Sequence, residues 1–143
     1  MLVKDIIQVI ETFAPPVYQE SYDNSGLQVG NVDTEVKGVL LTLDVTEEIV
    51  AEAIERNCNL IVAHHPLLFS GLKQLSGRNY IERVVINAIK NDIAIYAAHT
   101  NLDNVHNGVN AKIAAKLGLK NTSILSPMPG TLRKLHTFVP VEH

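Results

Sequence analysis

The chain has 143 residues, enough for one domain with a sizeable core and no need of covalent staples. Hydrophobic residues make up 46% and charged residues 19%, a globular balance that excludes a disordered chain. A net charge of -3 leaves no basic surplus to neutralise phosphates and argues against nonspecific nucleic-acid binding.

Val3, Ile6, Ile7, Ile10 and Phe13 recur at helical spacing, while Lys4, Asp5, Gln8 and Glu11 interrupt any uniform apolar run. This predicts an amphipathic helix over about Leu2 to Phe13, stopped by Pro15-Pro16, and not a signal peptide. Tyr22-Asp23-Asn24-Ser25-Gly26 is a run of turn formers, and Leu27 to Gly30 reads as a short extended piece. Gly38 to Asp44 is an apolar run too short for a helix, and it predicts a strand buried on both faces. Thr46 then caps a helix that ends near Asn57, with Glu47 and Glu48 in the first turn, where the helix dipole favours negative charge.

Leu60 to Ala63 is a second apolar strand and runs directly into His64-His65-Pro66. Tyr80 to Lys90 predicts a helix, and Ile93 to Ala98 a third strand that leads into His99 and Asp103. A further helix from about Val109 to Leu117 ends at Gly118, a natural position for the residue after a helix. Thr122 to Leu125 and Leu135 to Val141 are candidate late strands. Strands alternating with helices imply βαβ units, hence an α/β fold with a mostly parallel sheet and helices on both faces. Cys58 lies in an apolar stretch and reads as a small buried hydrophobe; a lone cysteine excludes an internal disulfide and fits a reducing, cytoplasmic setting. No stretch approaches the roughly 20 apolar residues that span a bilayer.

Each of the three apolar strands ends in groups that ionise or bind metal: Asp44 after the first, His64-His65 after the second, His99 and then Asp103 after the third. In open parallel sheets, ligands bind beyond the carboxyl ends of the strands, so parallel strands would set these side chains along one rim. Adjacent residues of a strand face opposite ways, so His64 and His65 can share a site only where the strand opens, as Pro66 signals. Two imidazoles and the carboxylate of Asp103 suit zinc, iron or manganese. His99 could be a ligand, a partner that orients a ligand, or a general base, and the orienting role is favoured. Asp44 could support the site in the same way or bind the amides that begin the next helix. His106 lies in a polar turn and is expected to be solvated, and Ser25 has no positioned base to make it a nucleophile.

Three blocks of sequence then coincide. YDNSGLQVG (Tyr22 to Gly30), HHPLLF (His64 to Phe69), and AHTNLD with GVN (Ala98 to Asp103, Gly108 to Asn110) resemble the N-terminal half of the Nif-three-like family. Its members carry the name GTP cyclohydrolase I type 2 homolog. The resemblance implies a three-layer αβα fold with a mostly parallel mixed sheet, two divalent metal ions, and a toroidal homo-oligomer, commonly a hexamer. It implies that His64, His65 and Asp103 are metal ligands, with one histidine per metal, and that Asp23 to Gly26 is a signature turn near the site. Family members are longer and complete the site with a His and a Glu from a C-terminal segment that has no counterpart before His143, so the chain is expected to be the N-terminal part of a longer protein. A metal-dependent hydrolase is the leading functional expectation. A non-catalytic, metal-dependent scaffold or regulator that binds other proteins is the second, and metal storage or delivery the third.

Overall fold

The computed structural model describes residues 1–127, 135 and 137. Its elements run α1 (Val3–Phe13), a 3-10 turn (Pro16–Tyr18), β1 (Gly26–Val29), β2 (Val39–Thr42), α2 (Glu47–Glu55), β3 (Leu60–Ala63), α3 (Tyr80–Lys90), β4 (Ala94–Ala97), α4 (Thr100–Asn104) and α5 (Val109–Lys116). The sheet order is β1-β4-β3-β2. β2, β3 and β4 are parallel, and β1 adds to β4 antiparallel, so the sheet is mixed and mostly parallel.

Side-chain alternation along the central strands divides the core between the two faces. Leu60, Ala94 and Tyr96 pack with Val3, Ile6, Ile7 and Ile10 of α1 on one face. Ile61, Ala63 and Ile95 pack with Val50 and Ala53 of α2 and Val84, Val85 and Ala88 of α3 on the other. The result is three layers, helix–sheet–helix, as the alternation of strands and helices predicts.

Local chemistry explains the helix boundaries. The Leu2 amide donates to Asp5 Oδ2 (2.7 Å) at the start of α1, and Ala14 closes its last turn just ahead of Pro15. Thr46 Oγ1 accepts from the Ile49 amide at the start of α2, and Asn79 Oδ1 accepts from the Glu82 amide at the start of α3. Gly118, at φ +70°, follows α5 and terminates it. Gly30, at φ +106°, is required twice over: a Cβ there would also lie 2.7 Å from the Ala94 backbone, where the chain leaving β1 crosses β4.

Three expectations need correction. The run Gly38 to Asp44 is not buried on both faces: among the described residues β2 is the edge of the sheet, and α1 does not reach over it, so Leu41 is 74% and Leu43 65% exposed. The segment 122–125 forms no strand, and Leu125 stands almost fully exposed, with no strand beside it among the described residues. Cys58 is half-buried, packed against the α2–α3 side of the core, and not sealed within it. Beyond the third strand, for which the sequence predicts no element before Val109, Thr100–Asn104 wind into the short helix α4. The candidate strand Leu135 to Val141 lies outside the described residues except for Leu135 and Thr137. Among the described residues no helix is long and apolar enough to cross a membrane.

Candidate metal centre

Because β2, β3 and β4 are parallel and in register, their carboxyl ends form one rim. The ladder continues past the strands: the His64 amide donates to Thr42 O, the His65 amide to Leu43 O, and the Ala98 amide to Ala63 O. His64 and His65 therefore leave β3 beside the exits of β2 and β4, where the extended backbone breaks and both rings turn to one side. Their centroids are 4.9 Å apart, and those of His64 and His65 lie 5.3 and 5.6 Å from that of His99. Each ring offers a nitrogen, and the three nitrogens lie within 4.8 Å of one another. These three residues could hold a metal ion.

Hydrogen bonds behind the rings decide which nitrogen is free. His64 Nδ1 lies 2.9 Å from the carbonyl of Ala98, His65 Nδ1 2.8 Å from Asp44 Oδ1, and His99 Nδ1 2.9 Å from Asp23 Oδ1. A carbonyl or an ionised carboxylate can only accept, so in each neutral ring the hydrogen belongs on Nδ1 and Nε2 keeps its lone pair. Three imidazoles oriented from behind by acceptors, with bare nitrogens toward a shared space, form a donor set that suits a borderline cation such as zinc, iron or manganese.

Asp103, on α4, brings Oδ1 to 3.7 Å from His64 Nε2, too far for a hydrogen bond and close enough for both to face one ion. It stands beside the histidine trio and not within it. Asp44 supports His65, and Thr46, not Asp44, caps α2. His99, expected to orient a ligand from behind, has a ring nitrogen inside the group itself. His106 is exposed, as expected. Phe69 sets its ring edge-on to His99 at 5.8 Å and forms part of the rim of the site.

Two residues that hold the site in shape carry little signal in the sequence. The side chain of Asp23 is fully buried, and it gathers Ser25 Oγ (2.9 Å), the Thr100 amide (3.0 Å), the Thr100 hydroxyl and the His99 ring. Burial pushes its carboxyl up, but hydrogen bonds from Thr100, His99 and Ser25 outweigh this and hold it well below the usual carboxylate range. Ser25 thus directs its proton to Asp23. Asn101, fully buried, accepts from the His99 amide (3.0 Å) and donates to Ala14 O (2.8 Å), fixing the start of α4 to the end of α1. Both contacts of the fold span more than 70 residues of sequence, beyond the reach of any periodicity; the density of turn formers around Asp23 and the family resemblance of its turn pointed to a special role, and neither pointed to Asn101.

Among curated proteins, the chain is 43% identical over 141 residues to the GTP cyclohydrolase 1 type 2 homolog of Bacillus subtilis (strain 168), covering 98% of this chain and 38% of that one. It is 40% identical over 143 residues to the homolog of the same name from Staphylococcus aureus (strain MRSA252), covering 100% of this chain and 39% of that one. The chain thus spans about two fifths of the length of these relatives. Among solved structures, a Bacillus cereus protein related to NIF3 superposes with a TM-score of 0.84 at 44% identity, over 90% of this chain and 35% of that one. Reduced HcgD from Methanocaldococcus jannaschii superposes with a TM-score of 0.79 at 38% identity, over 85% of this chain and 48% of that one. The family model Duf34/NIF3 (NGG1p interacting factor 3) matches residues 1–142, and the chain belongs to that family.

Proposed function

We propose that His64, His65 and Asp103 bind divalent metal, zinc, iron or manganese, and that the longer protein to which such a chain corresponds is a metal-dependent hydrolase with a dinuclear centre. The single observation that carries this reading is the set of acceptor-backed rings: three Nδ1 atoms engaged from behind leave three bare Nε2 atoms toward one space. His64 and His65, whose ring planes are tilted 53° to each other, are suited to serve two ions, with Asp103 bearing on the one at His64. A bound pair of metal ions would supply a water of lowered pKa and polarise a carbonyl or phosphoryl oxygen. The name GTP cyclohydrolase 1 type 2 homolog, borne by relatives, makes a purine nucleotide the first substrate to try; a name carried across a family does not fix the chemistry.

Metal content of the purified chain, read by mass spectrometry beside His65→Ala and Asp103→Ala, tests the reading. Near-stoichiometric metal that falls in both variants supports it. Metal absent both from this chain and from a full-length relative overturns it. A second reading, a non-catalytic oligomeric scaffold or regulator of other proteins, draws support from the open apolar flank of β2, where Val39, Leu41 and Leu43 are exposed. A metal-loaded full-length protein that turns over no nucleotide, phosphoester or cyclic amide would favour it.

A further inference from the structure

We propose that Asp23 is the positioning residue of this site: it fixes the tautomer of His99 and so keeps a proton out of the space that the three imidazoles share. What the bare nitrogen is for rests on the metal-site reading above; the tautomer lock is a property of the metal-free chain. Oδ1 of Asp23 accepts from the Asn24 amide (2.6 Å) and faces His99 Nδ1 (2.9 Å). Oδ2 accepts from the Thr100 amide (3.0 Å), Ser25 Oγ (2.9 Å) and the Thr100 hydroxyl. A fully buried carboxylate surrounded by donors has only acceptor capacity to offer, so the hydrogen of the neutral His99 ring is held on Nδ1.

The other two rings are held less firmly. His65 is backed by a carboxylate of the same kind, but Asp44 is 67% exposed and water competes for it. His64 is backed by a neutral carbonyl. Asp23 alone combines charge with burial, and it ties the turn before β1 to the first residue of α4, so the direction of the His99 ring is set by two segments that the fold brings together. A hydrogen on Nε2 of His99 would remove its own lone pair and aim a donor at nitrogens meant to bind a cation.

Asp23→Asn is nearly isosteric and reverses the arrangement. Each oxygen meets one backbone amide, Asn24 at Oδ1 and Thr100 at Oδ2, but Oδ2 also takes the Thr100 and Ser25 hydroxyls, so the carbonyl of the new amide belongs at Oδ2 and its NH2 faces His99 at the expense of the Asn24 contact. His99 Nδ1 must then accept, and its hydrogen moves to Nε2. Long-range proton–nitrogen correlation spectra of the metal-free chain, with 15N-labelled histidine and pH well above the ordinary imidazole value, read the tautomer directly. The parent is expected to show His99 protonated on Nδ1 and bare on Nε2. Asp23→Asn is expected to show the reverse and to bind zinc about 10- to 100-fold more weakly, the usual range for loss of a ligand's orienting partner. Ser25→Ala, which removes one donor and leaves the carboxylate, should keep the His99 tautomer; Asp44→Asn should disturb His65 alone.

A parent His99 carrying its hydrogen on Nε2 overturns the proposal at once, whether or not Asp23→Asn folds. So does an unchanged tautomer in a folded Asp23→Asn, or a reversed tautomer with undiminished zinc binding. Failure of the parent to bind zinc counts against the metal reading instead, and the spectra still decide the lock.

Discussion

A phenol in the middle of a sheet needs a partner for its hydroxyl. Tyr96, fully buried on β4, finds one across the layer in Glu11 of α1, at 3.1 Å. Burial, the Glu11 charge and this hydrogen bond all raise the Tyr96 pKa well above its ordinary value of 10.0. Between the ordinary value and the raised one, the unfolded chain has released a proton that the folded chain still holds, so stability is fully present below about pH 10 and falls as pH rises beyond it. Tyr96→Phe should cost about 1.5–3 kcal/mol at neutral pH, the worth of a hydrogen bond to a charged group, and should lose this alkaline decline. Urea unfolding at neutral and at alkaline pH, parent beside variant, checks both.

At the scale of elements, the approach to α3 depends on one carboxylate. Glu82 Oε2 accepts from the Ser76 amide (2.9 Å), Ser76 Oγ (3.0 Å) and the Arg78 amide (3.1 Å), while Oε1 accepts from Asn79 Nδ2 (3.0 Å). The amides of Ser76 and Arg78 hold its pKa below the ordinary carboxylate value. Its contribution is therefore present above that ordinary value and is lost as pH falls through the lowered one. Glu82→Gln should speed hydrogen exchange at the Ser76 and Arg78 amides while leaving β3 and β4 as they are. Equal protection in parent and variant would refute this.

The elements also divide by how far the sequence announces them. α1, α2, α3 and α5 are legible because apolar spacing, a cap or a following glycine marks them within a dozen residues. α4 is only five residues long, less than two turns, and so has no period to detect. A four-residue apolar run cannot tell a central strand from an edge, because what covers β2 is decided by where α1 lies, far away in sequence. The histidines were legible for the same reason in reverse: strand ends are local, and parallel pairing brings them together. The burial of Asp23 and Asn101 became visible only once α4 was seen against the turn before β1 and the end of α1.

For the whole molecule, the asymmetry of coverage matters most. Two layers close over β3 and β4, while among the described residues β2 and the residue that follows it leave Val39, Leu41 and Leu43 exposed along an edge with no paired strand. Soluble chains seldom leave such an edge without charge, proline or a covering element. We propose that this flank is buried in a homo-oligomer. Leu41→Lys should change monomer stability by no more than about 0.5 kcal/mol, as is usual for an exposed site. In sedimentation velocity it should shift a concentration-dependent assembly toward monomer; a parent chain that is monomeric at every concentration would refute the oligomer.

The strand order has a topological consequence. The exposed segment 70–76 separates β1, β2 and β3 from β4, yet β4 is inserted between β1 and β3. Cutting the chain there would give two interleaved pieces, the second supplying a middle strand to the first. Neither piece could depart without unzipping two ladders, and His99 would leave with one piece while His64 and His65 stayed with the other. The natural division of this chain into halves is therefore a split protein whose reassembly regenerates the three-histidine site, so that metal uptake would report that the two pieces had found each other.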